Sequence, residues 1–218
     1  MKYIDSETLR DVSSLLSKTI GDGLMLACRI EVFIAKKSQS EKESEIDIKE
    51  NLDLFIKMTP SPITPFGDIS NENSKKSFIN IIHLLSAAFP AHDCSLLTPA
   101  NFKLMESTYR VRMDIDSSLA ASIGCAYHSV ISPKLWEALD EDIILSECNV
   151  YSLHVPADLN PLSTGSELWS WLYIFENRRR KRVILFTCSA VPISFSQSTS
   201  AIGGFDPSLF IGSEDLAY

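Results

Sequence analysis

Apolar residues recur along this chain with two distinct periods, and the period changes mark its elements. From residue 6 to 18, Leu9, Val12, Leu15 and Leu16 fall on one side of a helix that Ser6 can cap. Gly21-Asp22-Gly23 is a turn. Over Leu24 to Ala35 the spacing drops to two: Ile30, Val32 and Ile34 point one way, Arg29, Glu31 and Phe33 the other, as in a strand. Lys36 to Glu45 is polar and reads as a loop; Ile48, Leu52, Phe55 and Ile56 then predict a helix near 46–58. Phe78, Ile81, Ile82, Leu85 and Phe89 predict a strong helix over about 74–88, stopped by Pro90.

Residues 99–127 read as helical but broken. Ser132-Pro133 opens a further helix, because Ser caps and Pro suits the first turn; Leu135, Trp136, Leu139 and Ile143 form its apolar side. Three strands follow. Ile144 to Leu153 alternates. Leu168 to Glu176 sets Trp169, Trp171, Tyr173 and Phe175 on one face and Leu168, Leu172 and Ile174 on the other. Val183 to Ala190 is apolar on both faces, so helices should cover both sides of the sheet. The link from Asn177 to Arg180 is too short for a parallel crossover, so the last two strands form an antiparallel hairpin. The fold class is α/β: a central, mainly antiparallel sheet flanked by helices on both faces, as a single domain over 1–191. A Pro-rich linker is expected at about 59–68 and a Ser/Gly/Pro-rich, mobile tail over 192–218.

The linker, TPSPITPFG, carries Ser/Thr-Pro pairs at Thr59, Ser61 and Thr64. They read as a stiff loop or as proline-directed phosphorylation sites, where added charge would disturb a nearby contact.

Composition excludes several classes. With 218 residues, 45% hydrophobic and 22% charged, the chain is globular rather than disordered or coiled-coil. It holds no run of about 18 apolar residues, so no spanning helix is expected, and no membrane partner. Met1 to Asp5 has no apolar signal region. The five cysteines are scattered, and reduced core thiols of a nuclear or cytosolic protein are expected.

Charge changes the picture most. The net charge is −8. Five basic residues stand consecutively, Arg178, Arg179, Arg180, Lys181 and Arg182; the other 15 basic and 28 acidic residues leave −13. Leu135 to Asn177 contains no Lys or Arg. The run reads as a solvated hairpin turn, whose charges discourage edge pairing, or as a nuclear import signal.

Catalytic signatures are weak. Gly21-Asp22-Gly23 lacks the third glycine of a dinucleotide fingerprint, and neither a phosphate loop nor a Cys-x-x-Cys pair occurs. His92-Asp93-Cys94 is a helix-end loop rather than a thiol site. A helix spreads Asp140-Glu141-Asp142 around its circumference, away from a shared cation. No cofactor, metal or enzymatic activity is expected. An alternative use of the basic hairpin 178–182 with the adjacent aromatic strand is nucleic-acid binding.

Several segments together resemble one family. They are Pro65-Phe66-Gly67 with the helix to Phe89-Pro90, Leu135-Trp136-Glu137 onward to Glu147-Cys148-Asn149-Val150-Tyr151-Ser152, and Leu168-Trp169-Ser170 onward to Asn177-Arg178 and Lys181-Arg182-Val183. They are similar to the eukaryotic Maf-one family of RNA polymerase III repressors, and Leu24 to Lys37 is similar to that family's N-terminal box. The chain departs from the family where it has Pro90-Ala91-His92-Asp93-Cys94-Ser95 and Tyr151-Ser152-Leu153-His154-Val155-Pro156.

The resemblance implies a non-enzymatic repressor that binds the polymerase clamp region and blocks engagement with the promoter-bound initiation factor. Transfer-RNA and 5S RNA synthesis would then fall under stress or nutrient limitation. It also implies shuttling between nucleus and cytoplasm, with an import receptor reading Arg178 to Arg182 and regulatory kinases and phosphatases as further partners. An acidic surface suits a basic protein better than DNA, so little direct nucleic-acid binding is expected. Glu31, Lys36 and Glu147 are charges placed on strands without being needed for the core. If those strands are neighbours, the three make one patch for the polymerase.

Overall fold

The computed structural model describes residues 1–17, 20–21, 24–35 and 39–192. Its frame is one antiparallel sheet. The strands are β1 (Lys2–Ile4), β2 (Ile20–Gly21), β3 (Leu24–Ile34), β6 (Phe102–Leu104), β7 (Asn149–Leu153), β8 (Trp169–Asn177) and β9 (Arg182–Pro192). Their order is β1-β3-β9-β8-β7-β6, with β2 pairing the start of β3. A separate two-stranded hairpin joins β4 (Ile63–Thr64) to β5 (Gly67–Asp68). The α-helices are α1 (Glu7–Ser17), α2 (Gln39–Met58), α3 (Glu72–Ala88), α4 (Thr108–Ile123) and α5 (Cys125–Ile143).

The doubly apolar β9 lies at the centre, as its pattern predicts. Ile184, Phe186, Cys188 and Ala190 join the core under α1, α4 and α5. Val183 and Leu185 join the core under α3 and α2. Helices therefore cover both faces, and the alternation along β3 and β8 sorts correctly: Ile30, Val32 and Phe175 to the first core, Phe33, Leu172 and Ile174 to the second. Of the α1 positions, Leu9, Val12 and Leu16 are buried while Leu15 is exposed. Cys28 and Cys188 stand directly opposite each other as buried thiols; Cys125 is exposed and Cys148 half-buried, so not every thiol belongs to the core.

Four expectations are corrected. The α2 helix starts at Gln39, so most of the polar stretch read as a loop is helical. Within 99–127, Phe102–Leu104 is an edge strand, and Ser107 caps α4 by accepting from the Arg110 N–H at 3.1 Å. Ser132-Pro133 does not start a helix: α5 begins after Gly124, and Pro133 lies inside it. Ser132, His128 and Trp136 follow one another at four-residue spacing, and all three contact Asp116 Oδ1, at 2.8, 3.0 and 3.0 Å. That clamp to α4 occupies the Ser132 hydroxyl and holds α5 together through its proline. Burial pushes the Asp116 carboxyl up, but the hydrogen bonds from Trp136, His128 and Ser132 outweigh it and hold the group below its ordinary range.

The fourth correction concerns the Pro-rich linker, which is a packed hairpin. Thr64 Oγ1 donates to the Gly67 carbonyl at 2.9 Å and accepts from the Phe66 N–H at 3.2 Å, and Gly67 takes the left-handed φ of 101° that the turn needs. Phe66 is thereby driven inward. It stacks on Tyr151 with centroids 4.7 Å apart and meets Phe78 and Phe102 edge-on at 5.4 Å. The prolines stiffen a segment whose apolar residue is part of the core.

The expected tail over 192–218 lies outside the described residues after Pro192.

Candidate functional site

The most charged feature of the sequence sits at the β8–β9 turn. Asn177 pairs with Arg182 across the hairpin, and residues 178–181 form the tip. Lys181 turns the chain back with a positive φ of 56°, and its carbonyl accepts from the Ala35 N–H at 2.9 Å. Asn177, 1% exposed, is the anchor. Its Nδ2 donates to the Ile143 carbonyl at 2.7 Å, and its Oδ1 accepts from the Arg180 N–H at 3.0 Å. One side chain thus ties the tip to the end of α5.

The five cations divide into two kinds. Arg178 donates from Nε to Glu176 at 3.0 Å and from a terminal nitrogen to the Tyr151 hydroxyl at 3.1 Å. Arg182 donates to the Asp142 carbonyl at 2.8 Å and its carboxylate at 3.1 Å, and Asp142 in turn accepts from Ser6 Oγ at 2.6 Å. These two arginines hold the hairpin against α1, α5 and β7. Arg179 reaches Glu147 at 3.0 Å while its side chain stays 84% exposed. The Arg180 and Lys181 side chains have no partner among the described residues. Arg179, Arg180 and Lys181 are the cations presented to solvent.

Beneath them lies a buried polar group. Glu176 is 4% exposed and accepts from Ser77, Tyr151 and Arg178. Burial first, and then the Glu176 charge, push the Tyr151 hydroxyl up to about 12, so it stays a donor. For Arg178, burial works against the charge, yet the hydrogen bond and charge of Glu176 outweigh it and raise its pKa further. The guanidinium is fixed as a cation, and the carboxylate is neutralised where it stands.

Of the three expected polymerase-contact residues, Glu31 and Glu147 do not share a patch. Glu31 lies on β3 and Glu147 beside β7, with β9 and β8 between those strands, roughly three strand spacings of about 4.8 Å. Glu31 pairs with Arg29 at 2.8 Å on the face of α3. Glu147 is not on a strand: Ile144 adopts a left-handed φ of 56°, and Leu145–Glu147 form a single helical turn before β7. Lys36 lies outside the described residues.

The three Ser/Thr-Pro sites share the packed hairpin region. Thr59 Oγ1 donates to the Phe55 carbonyl at 2.7 Å, Ser61 is exposed, and the Thr64 hydroxyl builds the turn. The aromatic strand face runs away from the basic tip: Trp169 and Trp171 lie at the far end of β8, and all four aromatics pack on the first core. Of the residues that shape the site, Tyr151 and Asn177 lie in the segments that carry the family resemblance and Asp142 in the acidic triplet, but nothing in the sequence points to their meeting Ser77 and the basic run.

Cys94 is held as a thiol: burial, then the Asp93 charge, push it up to about 11, against a nucleophilic role. Among the described residues no cluster of His, Cys, Asp and Glu stands ready to hold a metal ion, and no helix is long and apolar enough to cross a membrane.

Comparison with known proteins points in one direction. A family model described as "Maf1 regulator" matches residues 26–187. The chain is similar to "Repressor of RNA polymerase III transcription maf1" of Schizosaccharomyces pombe, 30% identical over 225 residues, covering 96% of this chain and 91% of that one. It is also similar to "Repressor of RNA polymerase III transcription" of Dictyostelium discoideum, 34% identical over 126 residues, 58% of this chain and 45% of that one. The fold matches the crystal structure of citrus MAF1 with a TM-score of 0.67 at 20% identity, over 84% of this chain and 99% of that one.

Proposed function

Because the chain belongs to the Maf1 family, we propose that it represses transcription by RNA polymerase III. The observation that carries this reading is the family match across both halves of the sheet and the hairpin between them. The finer reading has the chain bind the clamp region of the polymerase, block its engagement with the promoter-bound initiation factor, and so lower transfer-RNA and 5S RNA synthesis under stress or nutrient limitation. A net charge of −8 supports docking on a basic protein surface rather than on DNA. The competing nucleic-acid reading loses support from the geometry, since the basic tip and Trp169 and Trp171 lie at opposite ends of β8.

In this reading Arg179, Arg180 and Lys181 are the cations open to an import receptor, and the protein shuttles between cytoplasm and nucleus. Kinases and phosphatases act on the Thr59, Ser61 and Thr64 region; a phosphate on Thr64 would replace the hydroxyl hydrogen bond that seats Phe66.

Cells of S. pombe lacking their own repressor provide the test. The intact chain should enter nuclei on starvation and restore the shutdown of precursor transfer-RNA synthesis. The Arg179/Arg180/Lys181→Ala variant should stay cytoplasmic and fail. No shutdown with the intact chain in the nucleus would sink the repressor reading; normal import of the folded variant would sink the import reading alone.

A further inference from the structure

Between the hairpin tip and the first half of α3 lies a cavity of about 300 Å³, lined by Asn73, Lys76, Asn80, Glu176, Arg178 and Lys181 among others. Arg178 compensates the one carboxylate, Glu176, which also accepts from the hydroxyls of Ser77 and Tyr151. Arg182, also in the lining, is paired with Asp142, so Lys76 and Lys181 are the uncompensated charges of the cavity. Lys49, Lys75, Arg110 and Arg112 each lie within 4 Å of a carboxylate. Lys76 and Lys181 have none among the described residues.

A second observation is independent of charge. Asn80 is 9% exposed, yet its amide has no hydrogen-bond partner among the described residues, and it lines this cavity. The protein leaves the hydrogen-bonding capacity of this amide unused, so it is available to a group that enters the cavity.

We propose that this cavity binds a compact phosphate-class dianion, gripped by Lys76 and Lys181, with Asn80 donating from its amide. Two lysine ammonium groups with no carboxylate to compensate them favour a doubly charged tetrahedral oxyanion over a chloride or a single carboxylate. The volume accommodates one phosphoryl group with a few attached atoms. The same chemistry is offered by free phosphate and by a phosphorylated side chain. The inference does not depend on the repressor reading, and Lys76 lies outside the hairpin, so its variant separates anion binding from import.

The test is titration of the purified chain with sodium phosphate and with O-phosphoserine, against sodium chloride at equal ionic strength, read by calorimetry and thermal shift. Saturable binding of either phosphate compound is expected, with no saturable response to chloride. Lys76→Glu and Lys181→Glu should each weaken binding about tenfold or more, while Arg180→Glu, outside the cavity, should not. Tighter binding of O-phosphoserine assigns a protein-borne phosphate; equal or tighter binding of inorganic phosphate assigns a free one. Either ranking supports the site. A response matched by chloride, or unchanged in both lysine variants, overturns it.

Discussion

Replacing Phe66 with Ala should cost about 3–5 kcal/mol of stability, the range for emptying a buried aromatic site. The residue is 3% exposed and touches three rings from three separate elements. Removing it leaves Tyr151, Phe78 and Phe102 facing a void, and frees the β4–β5 hairpin from its main attachment. Nearby Ile63 is 78% exposed on the same hairpin, so Ile63→Ala should change stability by no more than about 0.5 kcal/mol. Urea unfolding of the two variants gives the comparison. A Phe66→Ala cost below about 1 kcal/mol would return the segment to the role of a linker.

Arg178→Ala should destabilise the fold by about 2–4 kcal/mol, because it strips a buried carboxylate of its cation. The Arg178 side chain is 40% exposed, so water re-entering at the removed side keeps the cost toward the lower end. Arg180→Ala, two residues away with no side-chain partner among the described residues, should fall within about 0.5 kcal/mol of the parent. In the Arg178→Ala/Glu176→Gln double variant the cost should be smaller than the sum of the singles, since the charge left unpaired is itself removed. Equal effects for Arg178 and Arg180 would contradict the division of the basic run into holding and presented cations.

The sheet was legible because its strands obey a period of two and its last connection is short. β9 announced its central position by being apolar on both faces, and β8 declared its two faces correctly. What was not legible came from contacts distant in sequence. Pro133 reads locally as a helix start; only the carboxylate of Asp116, on another helix, explains why the helix runs through it. Phe66 reads as a linker residue because the rings that hold it belong to α3, β6 and β7. Ile144 to Glu147 alternates like a strand, yet the left-handed turn at Ile144 sets it apart, and with it Glu147. The site shows the same limit. Five consecutive cations are obvious in the sequence, but which of them bear on Glu176 and Asp142 is decided by Ser77, Tyr151 and Ser6, which stand far away along the chain.

The central claim is that this acidic domain binds the polymerase itself. The most direct measurement is binding of the purified chain to purified RNA polymerase III, alongside a transfer-RNA-gene DNA fragment, at moderate salt. The account predicts a saturable complex with the polymerase and no shift of the DNA. Binding to the DNA with a steep dependence on salt, and none to the polymerase, would contradict it.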